Sequence, residues 1–416
     1  MLTSFSTALS ALTAQSTAID VTGNNLANLN TPGFKTSVVS FHDLVTQSLG
    51  AGFGETQVGF GVGRPVTLRQ FTQGAIQTTS GPLDVAIQGD GFFMVKNAQG
   101  NNAYSRGGNL QVDLNGVLTS ATGEKLQGWS TLNADGTLNT NAPVGDIVVP
   151  TGTLKAPTAT TNTSIDLNLK AGAVAGSADG SFSTSIEIFD SLGASHVLTF
   201  SFTKSTTANQ WNYSASLPPA DTTSPPTPLT GTLTFDSNGK LSSPLSTDPA
   251  PTIAITGLAD GASDMSVNWS LFNGTTARIN QFNQGSAVAA LAQDGSSSAN
   301  LIRVGIGDGG KILAQYSNGQ QVTVGQLAMV TIRNPDSLIA SGNNTFQLSA
   351  RSALPAIGLP GSGGRGTVLG GAVESSTVDI AQEFTNLIIF QRAYQANAKV
   401  ITTVDQLSQE TINLKQ

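Results

Sequence analysis

No cysteine occurs anywhere in the chain, and histidine occurs only twice, at His42 and His196. The first absence excludes disulfides, thiolate nucleophiles and Cys-ligated metals. It suits a protein that passes from a reducing to an oxidising compartment. The second leaves little material for imidazole chemistry. His42 falls in an irregular segment and His196 opens a strand. Neither has a His, Cys or carboxylate near it at ligand spacing. No catalytic, metal or cofactor-binding residue is expected, and no cofactor. Charge is scarce as well, at 11% of residues, with a net of −7. No Lys/Arg cluster breaks that balance, so nucleic acid is not an expected partner. Long apolar runs are missing too, which argues against membrane insertion. The N-terminus lacks a basic region followed by an apolar run and cleavage site. The expectation is a cytosolic protein, or one exported by a route that reads an uncleaved N-terminus.

What is present is glycine, 46 residues of it, together with much Ser, Thr, Asn and Gln. This is the composition of a β-rich protein with many turns. The length suits roughly two to four domains. Helical patterning is confined to the ends. Ile380, Phe384, Leu387, Gln391, Tyr394, Ala398 and Ile401 alternate in steps of four and three, and the stripe then shifts phase to Val404, Leu407, Thr411 and Leu414. That spacing predicts one long helix over Val378 to Lys415 with an apolar seam. Glu374 and Asp379 suit its positive dipole end. Leu2, Phe5, Leu9, Leu12, Ser16, Ile19, Gly23 and Leu26 repeat the same spacing at the other end, where Asp20 is the one charged side chain before Asn30. The two stripes are expected to pair in a coiled-coil-like way and enclose the rest. Apolar surface left over favours oligomers.

Between the helices, alternation and Gly turns predict strands from Gln70 onward, with Asn115-Gly116 closing a hairpin. Around Pro150 the composition shifts toward Thr, Ser, Ala and Pro. Strands are read at Thr184 to Phe189, His196 to Lys204, Gln210 to Ser216, Gly231 to Phe235 and Met265 to Asn273. Trp211 and Trp269 lie within these patterns and are read as core. After about Ala287 the first block resumes. The expected plan is nested. It has a helical domain of residues 1–30 and 378–416, linkers at 31–69 and 358–377, a β domain of 70–149 and 288–357, and an inserted outer β domain of 150–287. The β domains are expected to be barrel- or sandwich-like. Asp-Gly pairs at Asp90, Asp135, Asp179, Asp260, Asp294 and Asp308 have neither EF-hand nor calcium-repeat spacing and are read as turns. Gly305 to Gly310 lacks the following helix of a phosphate loop.

Thr31-Pro32-Gly33 ends the first helix, since Pro32 disfavours helix at Thr31 and Gly33 can take a positive φ. The stretch Asn25-Leu26-Ala27-Asn28-Leu29-Asn30-Thr31-Pro32-Gly33-Phe34-Lys35 resembles the signature of the bacterial flagellar rod and hook family. So does the block from Gln70. Gly371 to Asp379, followed by Gln391-Arg392-Ala393-Tyr394-Gln395-Ala396-Asn397, resembles the family's C-terminal signature. Thr377 stands where that pattern usually has Asn, and Thr also caps helices. Rod members are generally shorter, so the insertion points to the hook branch. The resemblance implies a structural polymer, not an enzyme. Subunits would leave through the flagellar export apparatus with the N-terminus uncleaved. They would assemble outside the cell with copies of themselves and with distal rod, hook cap and hook–filament junction proteins. The product would be a curved universal joint that transmits torque from rod to filament. It also implies that Leu2, Phe5, Leu9, Leu12, Ile19, Leu26, Ile380, Phe384, Leu387, Tyr394, Ile401 and Leu407 lie in the polymer interface of an inner tube. Alternatives left open are a distal rod-type protein, a surface adhesin or phage tail component with a glycan-binding β domain, and a secreted hydrolase.

Overall fold

In a computed structural model, residues 2–44, 46–48, 57–133, 137–152 and 154–413 are described. Helix α1 spans Leu2–Ala27 and helix α2 spans Ile380–Asn413. At about 1.5 Å per residue, the 34 residues of α2 extend on the order of 50 Å. Strands account for nearly all the regular structure between them. The chain divides into two compact units. The first comprises residues 1–151, 303–315 and 321–416, and the second 152–302 and 316–320.

In the first unit, α1 and α2 run antiparallel, since Asn25 near the end of α1 bonds Glu383 near the start of α2. The largest sheet has the strands Gln321–Leu327, Lys125–Trp129, Phe92–Lys96, Asn102–Ser105, Thr345–Gln347 and Ile339–Gly342 adjacent in that order. Each of these pairings is antiparallel. Its central strands are buried at almost every position, and one core gathers around Phe92, Tyr104, Val330 and Phe346. The rings of Phe71, Phe92 and Phe346 meet edge to face at 5.1 to 6.1 Å. That arrangement suits the ring quadrupoles.

The stretches expected to be linkers carry paired strands instead. Ser37–Ser40 pairs with Val66–Arg69, Thr367–Gly370 with Val85–Gln88, and Ala372–Glu374 with Ile76–Thr78, all antiparallel. Their short length and high glycine content hid the alternation that marks strands. The result is that the chain leaving α1 and the chain entering α2 are both hydrogen-bonded into β structure.

The second unit contains two five-stranded sheets. One is a meander of Ser181–Phe189, Ser195–Lys204, Gln210–Ser216, Leu229–Phe235 and Leu241–Ser243. The other is mixed. Asn162–Lys170 pairs parallel with Met265–Ser270 and Ile279–Phe282, and antiparallel with Ala287–Gln293. Period-two burial on both sheets builds one shared core, with Trp211 and Trp269 at its centre, each 0% exposed. Trp269 meets the tilted ring of Phe200 at 4.9 Å and that of Tyr213 edge-on at 5.0 Å. Both tryptophans are therefore packing residues, and the glycan-binding reading loses its aromatic platform.

Candidate assembly interface and its anchor

The pairing of α1 with α2 buries the predicted apolar stripes only in part. On α1 the buried positions are Ala8, Ala14, Ala18, Thr22 and Asn25. Asn25 is covered by Ser37 as well as by Glu383, and the Val62 amide bonds the Ser10 hydroxyl beside Ala8, so segments after α1 cover part of this face. Phe5 and Leu9 are 41% and 50% exposed, while Leu12, Ile19 and Leu26 are half-buried. The two helices pair as expected, with part of each apolar stripe left exposed. On α2, Leu387, Phe390, Asn397, Ala398, Ile401 and Val404 are half-buried at heptad-like spacing. Ile380, Phe384, Ile388, Ile389, Tyr394 and Leu407 are 40% to 57% exposed. The side chain of Leu2, like Leu414 and Lys415, lies outside the described residues. Phe41 covers part of the pair, with its ring 6.2 Å from that of Phe390.

The N-terminal signature anchors this helix pair to the β structure. Asn25 reads the backbone of Ser37 from both sides. Its Nδ2 donates to the Ser37 carbonyl at 2.8 Å, and its Oδ1 accepts from the Ser37 amide at 3.0 Å. The same Nδ2 also donates to Glu383 at 3.0 Å. Asn28 donates to the Asn24 carbonyl at 2.9 Å and accepts from the Thr31 hydroxyl at 3.1 Å, closing the last turn locally. Ala27 is exposed. Gly33 has φ +70°, and a Cβ there would lie 2.5 Å from the Arg106 carbonyl oxygen, so both its conformation and its surroundings require glycine. Its amide donates to the Glu374 carbonyl at 2.7 Å. Phe34 is buried, with the Arg69 guanidinium 5.9 Å from its ring centroid.

At the centre lies a buried ion triad. Glu374 is fully buried in strand Ala372–Glu374, not at the helix dipole as expected. Its carboxylate accepts from Lys35 at 2.7 Å, from the Gly74 amide at 2.7 Å and from Arg106 at 3.2 Å. Lys35 also donates to the Thr72 carbonyl. Arg106 donates to the carbonyls of Gly91 and Gly89, each at 2.8 Å. Burial is the largest influence on the Lys35 ammonium and lowers its pKa, against the opposing pull of Glu374. Asp379 supplies the helix cap, accepting from the amides of Ala381 and Gln382 at 2.8 and 3.2 Å. Thr377 does something else. Its hydroxyl accepts from the Thr36 amide at 2.9 Å, stitching the start of α2 to the exit from α1. In the C-terminal signature, Asn397 donates to the Ala393 carbonyl at 2.9 Å, whereas Gln391, Arg392 and Tyr394 are exposed.

Sequence reasoning missed Lys35, Arg106 and Glu383 as anchoring residues. Burial is the largest influence on the Glu383 carboxyl and raises it. The Asn25 and Thr22 hydrogen bonds lower it, and Asp379 raises it further. With a folded pKa above the unfolded one, the folded state binds the proton more tightly. Stability should therefore rise as pH falls from neutral through the raised pKa toward the ordinary carboxylate range. Glu383→Gln keeps the acceptor without the charge. It should abolish this pH dependence and slightly stabilise the protein at neutral pH. Glu383→Ala leaves one Asn25 N–H buried and unpaired, at a cost of about 1–3 kcal/mol. Urea unfolding at neutral and mildly acidic pH checks both. A Gln variant less stable than wild type at neutral pH contradicts the assignment.

Two other expectations meet the structure here. Trp211 and Trp269 leave no aromatic face for a sugar, being enclosed in the core of the second unit. His196, expected to lack nearby ligands, is surrounded by carboxylates that the fold brings from three loops. No helix among the described residues is long and apolar enough to cross a membrane.

Comparison with known proteins agrees with this architecture. Four family models match in chain order. "Flagella basal body rod protein" covers residues 5–35, and "Flagellar hook protein FlgE/F/G D1 domain" covers 86–176. "Flagellar basal body protein FlaE D2 domain" covers 173–296, and "Flagellar basal body rod FlgEFG protein C-terminal" covers 369–414. The flagellar hook protein FlgE of Salmonella typhimurium is 32% identical over 425 residues, spanning 99% of this chain and 100% of that protein. That of Borreliella burgdorferi is 33% identical over 449 residues, spanning 100% of both. The crystal structure of Helicobacter pylori flagellar hook protein FlgE2 aligns with a TM-score of 0.52 at 15% identity, covering 70% of this chain and 99% of that one. At that identity the likeness concerns the fold. With full-length relatives above 30% identity and matching models at both ends and in both β regions, the chain belongs to the flagellar hook protein family, structural proteins of the bacterial flagellum.

Proposed function

We propose that this chain is the subunit of a flagellar hook and polymerises, through its terminal helices, into a curved flexible tube that carries torque from rod to filament. The observation that supports this reading is the apolar surface of the α1–α2 pair. Phe5, Leu9, Ile380, Phe384, Ile388, Ile389 and Leu407 are 41% to 57% exposed on helices that already have each other as partners. A soluble monomer has little reason to carry so much apolar surface along two helices. Identical helices of neighbouring copies would cover it. The exposed Gln391, Arg392 and Tyr394 of the C-terminal signature fit the same role, since contacts within the chain do not account for them.

In this reading residues 1–30 and 378–416 form an inner tube. Residues 31–69 and 358–377 connect it to a first β domain of 70–149 and 288–357, and 150–287 form an outer domain. The role is structural, not enzymatic. Distal rod, hook cap and hook–filament junction proteins would be its end partners. Export would proceed through the flagellar secretion apparatus without cleavage, leaving the polymer outside the cell. Sparse charge on the β domains would let neighbouring subunits slide with little electrostatic loss. Electron microscopy of concentrated full-length protein tests the reading. Curved tubes with subunits on a helical lattice are expected. Monodisperse monomers at all concentrations, also when seeded with native hook fragments, would reject it.

A further inference from the structure

In the second unit, three loops converge on one imidazole. Asp190 closes the turn between strands Ser181–Phe189 and Ser195–Lys204, and His196 stands across that hairpin. Asp221 ends the single helical turn Pro219–Asp221, and Asp260 lies in the turn after strand Thr252–Ile255. The last two loops are tied together, with the Ala259 amide donating to the Asp221 carbonyl at 3.0 Å.

Two of the carboxylates share one arrangement. Asp190 Oδ1 accepts from the amides of Leu192 and Ala194 at 2.8 and 2.9 Å, and Asp260 Oδ1 accepts from that of Ala262 at 3.0 Å. Each thus uses one oxygen to close its own turn. The other oxygens both face His196 Nε2, Asp190 Oδ2 at 3.1 Å and Asp260 Oδ2 at 3.9 Å. One ring nitrogen carries one proton at most and can satisfy only one of them. On the far side, Asp221 Oδ2 lies 3.3 Å from Nδ1. That contact is ionic and off the line of a hydrogen bond, which leaves a buried Nδ1 without one. Asp190 is fully buried and His196 is 7% exposed. Even a doubly protonated imidazole supplies one positive charge against three carboxylates, of which Asp190 is fully buried and Asp221 and Asp260 are partly exposed.

A cation at the point between the two Oδ2 atoms and Nε2 accounts for two carboxylates converging on one ring nitrogen. Nitrogen and oxygen ligands lie about 2.0–2.2 Å from a zinc-like ion. Ligand atoms around it are then roughly 3 to 3.5 Å apart. The 3.1 Å pair already meets this, and Asp260, the more exposed partner, needs to close its 3.9 Å separation by less than an ångström. The three atoms lie within 4.8 Å of one another. Asp221 Oδ2, 3.3 Å from Nδ1, stands where a small turn of the carboxyl would let it accept the other N–H. Metal-bound imidazoles characteristically give their other N–H to a carboxylate, which fixes tautomer and ring orientation. One imidazole with two carboxylates suits a transition-metal ion better than calcium or magnesium, which favour all-oxygen sets.

We propose that Asp190, His196 and Asp260 bind a divalent transition-metal cation, that Asp221 positions the imidazole, and that the ion pins three loops at one end of the second unit. Full-length protein, stripped with chelator and titrated with zinc by calorimetry, provides the test. Saturable binding at one site is expected, with a thermal midpoint that rises on adding zinc. Asp260→Asn, at a partly exposed position, should weaken binding at least about tenfold while the circular dichroism spectrum stays that of wild type. Asp221→Asn should weaken it about 10–100-fold, as for other residues that orient a ligand. Asp248→Asn, outside the cluster, should bind as wild type. X-ray absorption of the zinc-loaded protein should report one nitrogen ligand among oxygens. Absence of saturable binding to the wild type, or equal affinity in wild type and Asp260→Asn, overturns the proposal.

Discussion

Glu374→Gln should lower the stability of the first unit by about 3–5 kcal/mol, the range for breaking a buried ion pair from one side. The change keeps the shape of the side chain and removes its charge. Lys35 and Arg106, 0% and 3% exposed, then remain buried as cations with no counter-charge. Their carbonyl partners at Thr72, Gly89 and Gly91 solvate them only in part. The damage should be regional, because Glu374 holds together the exit from α1, the first β sheet and the approach to α2. Urea unfolding of the monomer, followed by far-ultraviolet circular dichroism, should show the helices lost early. Limited proteolysis should cut between Thr31 and Ser40. The exposed pair Lys170–Asp179 serves as a control, since its side chains are 34% and 61% exposed. Asp179→Asn should cost under about 1 kcal/mol. A Glu374→Gln effect that small would mean the triad is not the anchor.

Leu9→Asp and Phe384→Asp should have the opposite profile, silent in the monomer and decisive in the polymer. Both side chains are about half exposed, at 50% and 51%. Monomer stability should therefore change by no more than about 0.5 kcal/mol. Covered by a neighbouring copy, each new carboxylate would be desolvated beside a helix whose one charged residue is Asp20. The penalty is several kcal/mol per interface. Sedimentation after polymerisation should leave the variants in the supernatant, and cells carrying them should lack hooks and motility. Tyr394→Asp should behave alike. Leu387→Asp discriminates less well, because Leu387 is half-buried within the chain and its loss also loosens the helix pair. Normal hooks built from Phe384→Asp would remove this face from the interface.

The extent and position of both helices were legible because a 3.6-residue period sustained without a break over so many residues is produced by a helix and by little else. The face they use on each other was legible only in part. On α1, the series through Leu9 and Leu12 and the series through Ala8, Ala18 and Thr22 share one period. Hydropathy ranks the leucines first, whereas the most buried positions of α1 are small or polar residues and Leu9 stays half exposed. Five strands of the second unit were legible from alternation, as were Trp211 and Trp269 as core, whereas Asn162–Lys170, Thr252–Ile255, Ile279–Phe282 and Ala287–Gln293 went unread. The short strands around Gly370 and Ser37 were not, since three or four residues carry no measurable period. The triad was invisible for a different reason. Lys35 and Arg106 stand 339 and 268 residues from Glu374, and nothing local marks them as partners. The carboxylates around His196 come from separate turns, each with its own local hydrogen bonds that give no hint of the others.

The most direct measurement is a side-chain-resolved cryo-electron microscopy map of the assembled polymer. The account predicts that Phe5, Leu9, Phe384 and Ile388 are buried against α1 and α2 of neighbouring copies, with the α1–α2 pairing and the Lys35–Glu374–Arg106 triad retained within each subunit. A map in which these four side chains face water, while subunits touch only through their β domains, would contradict it.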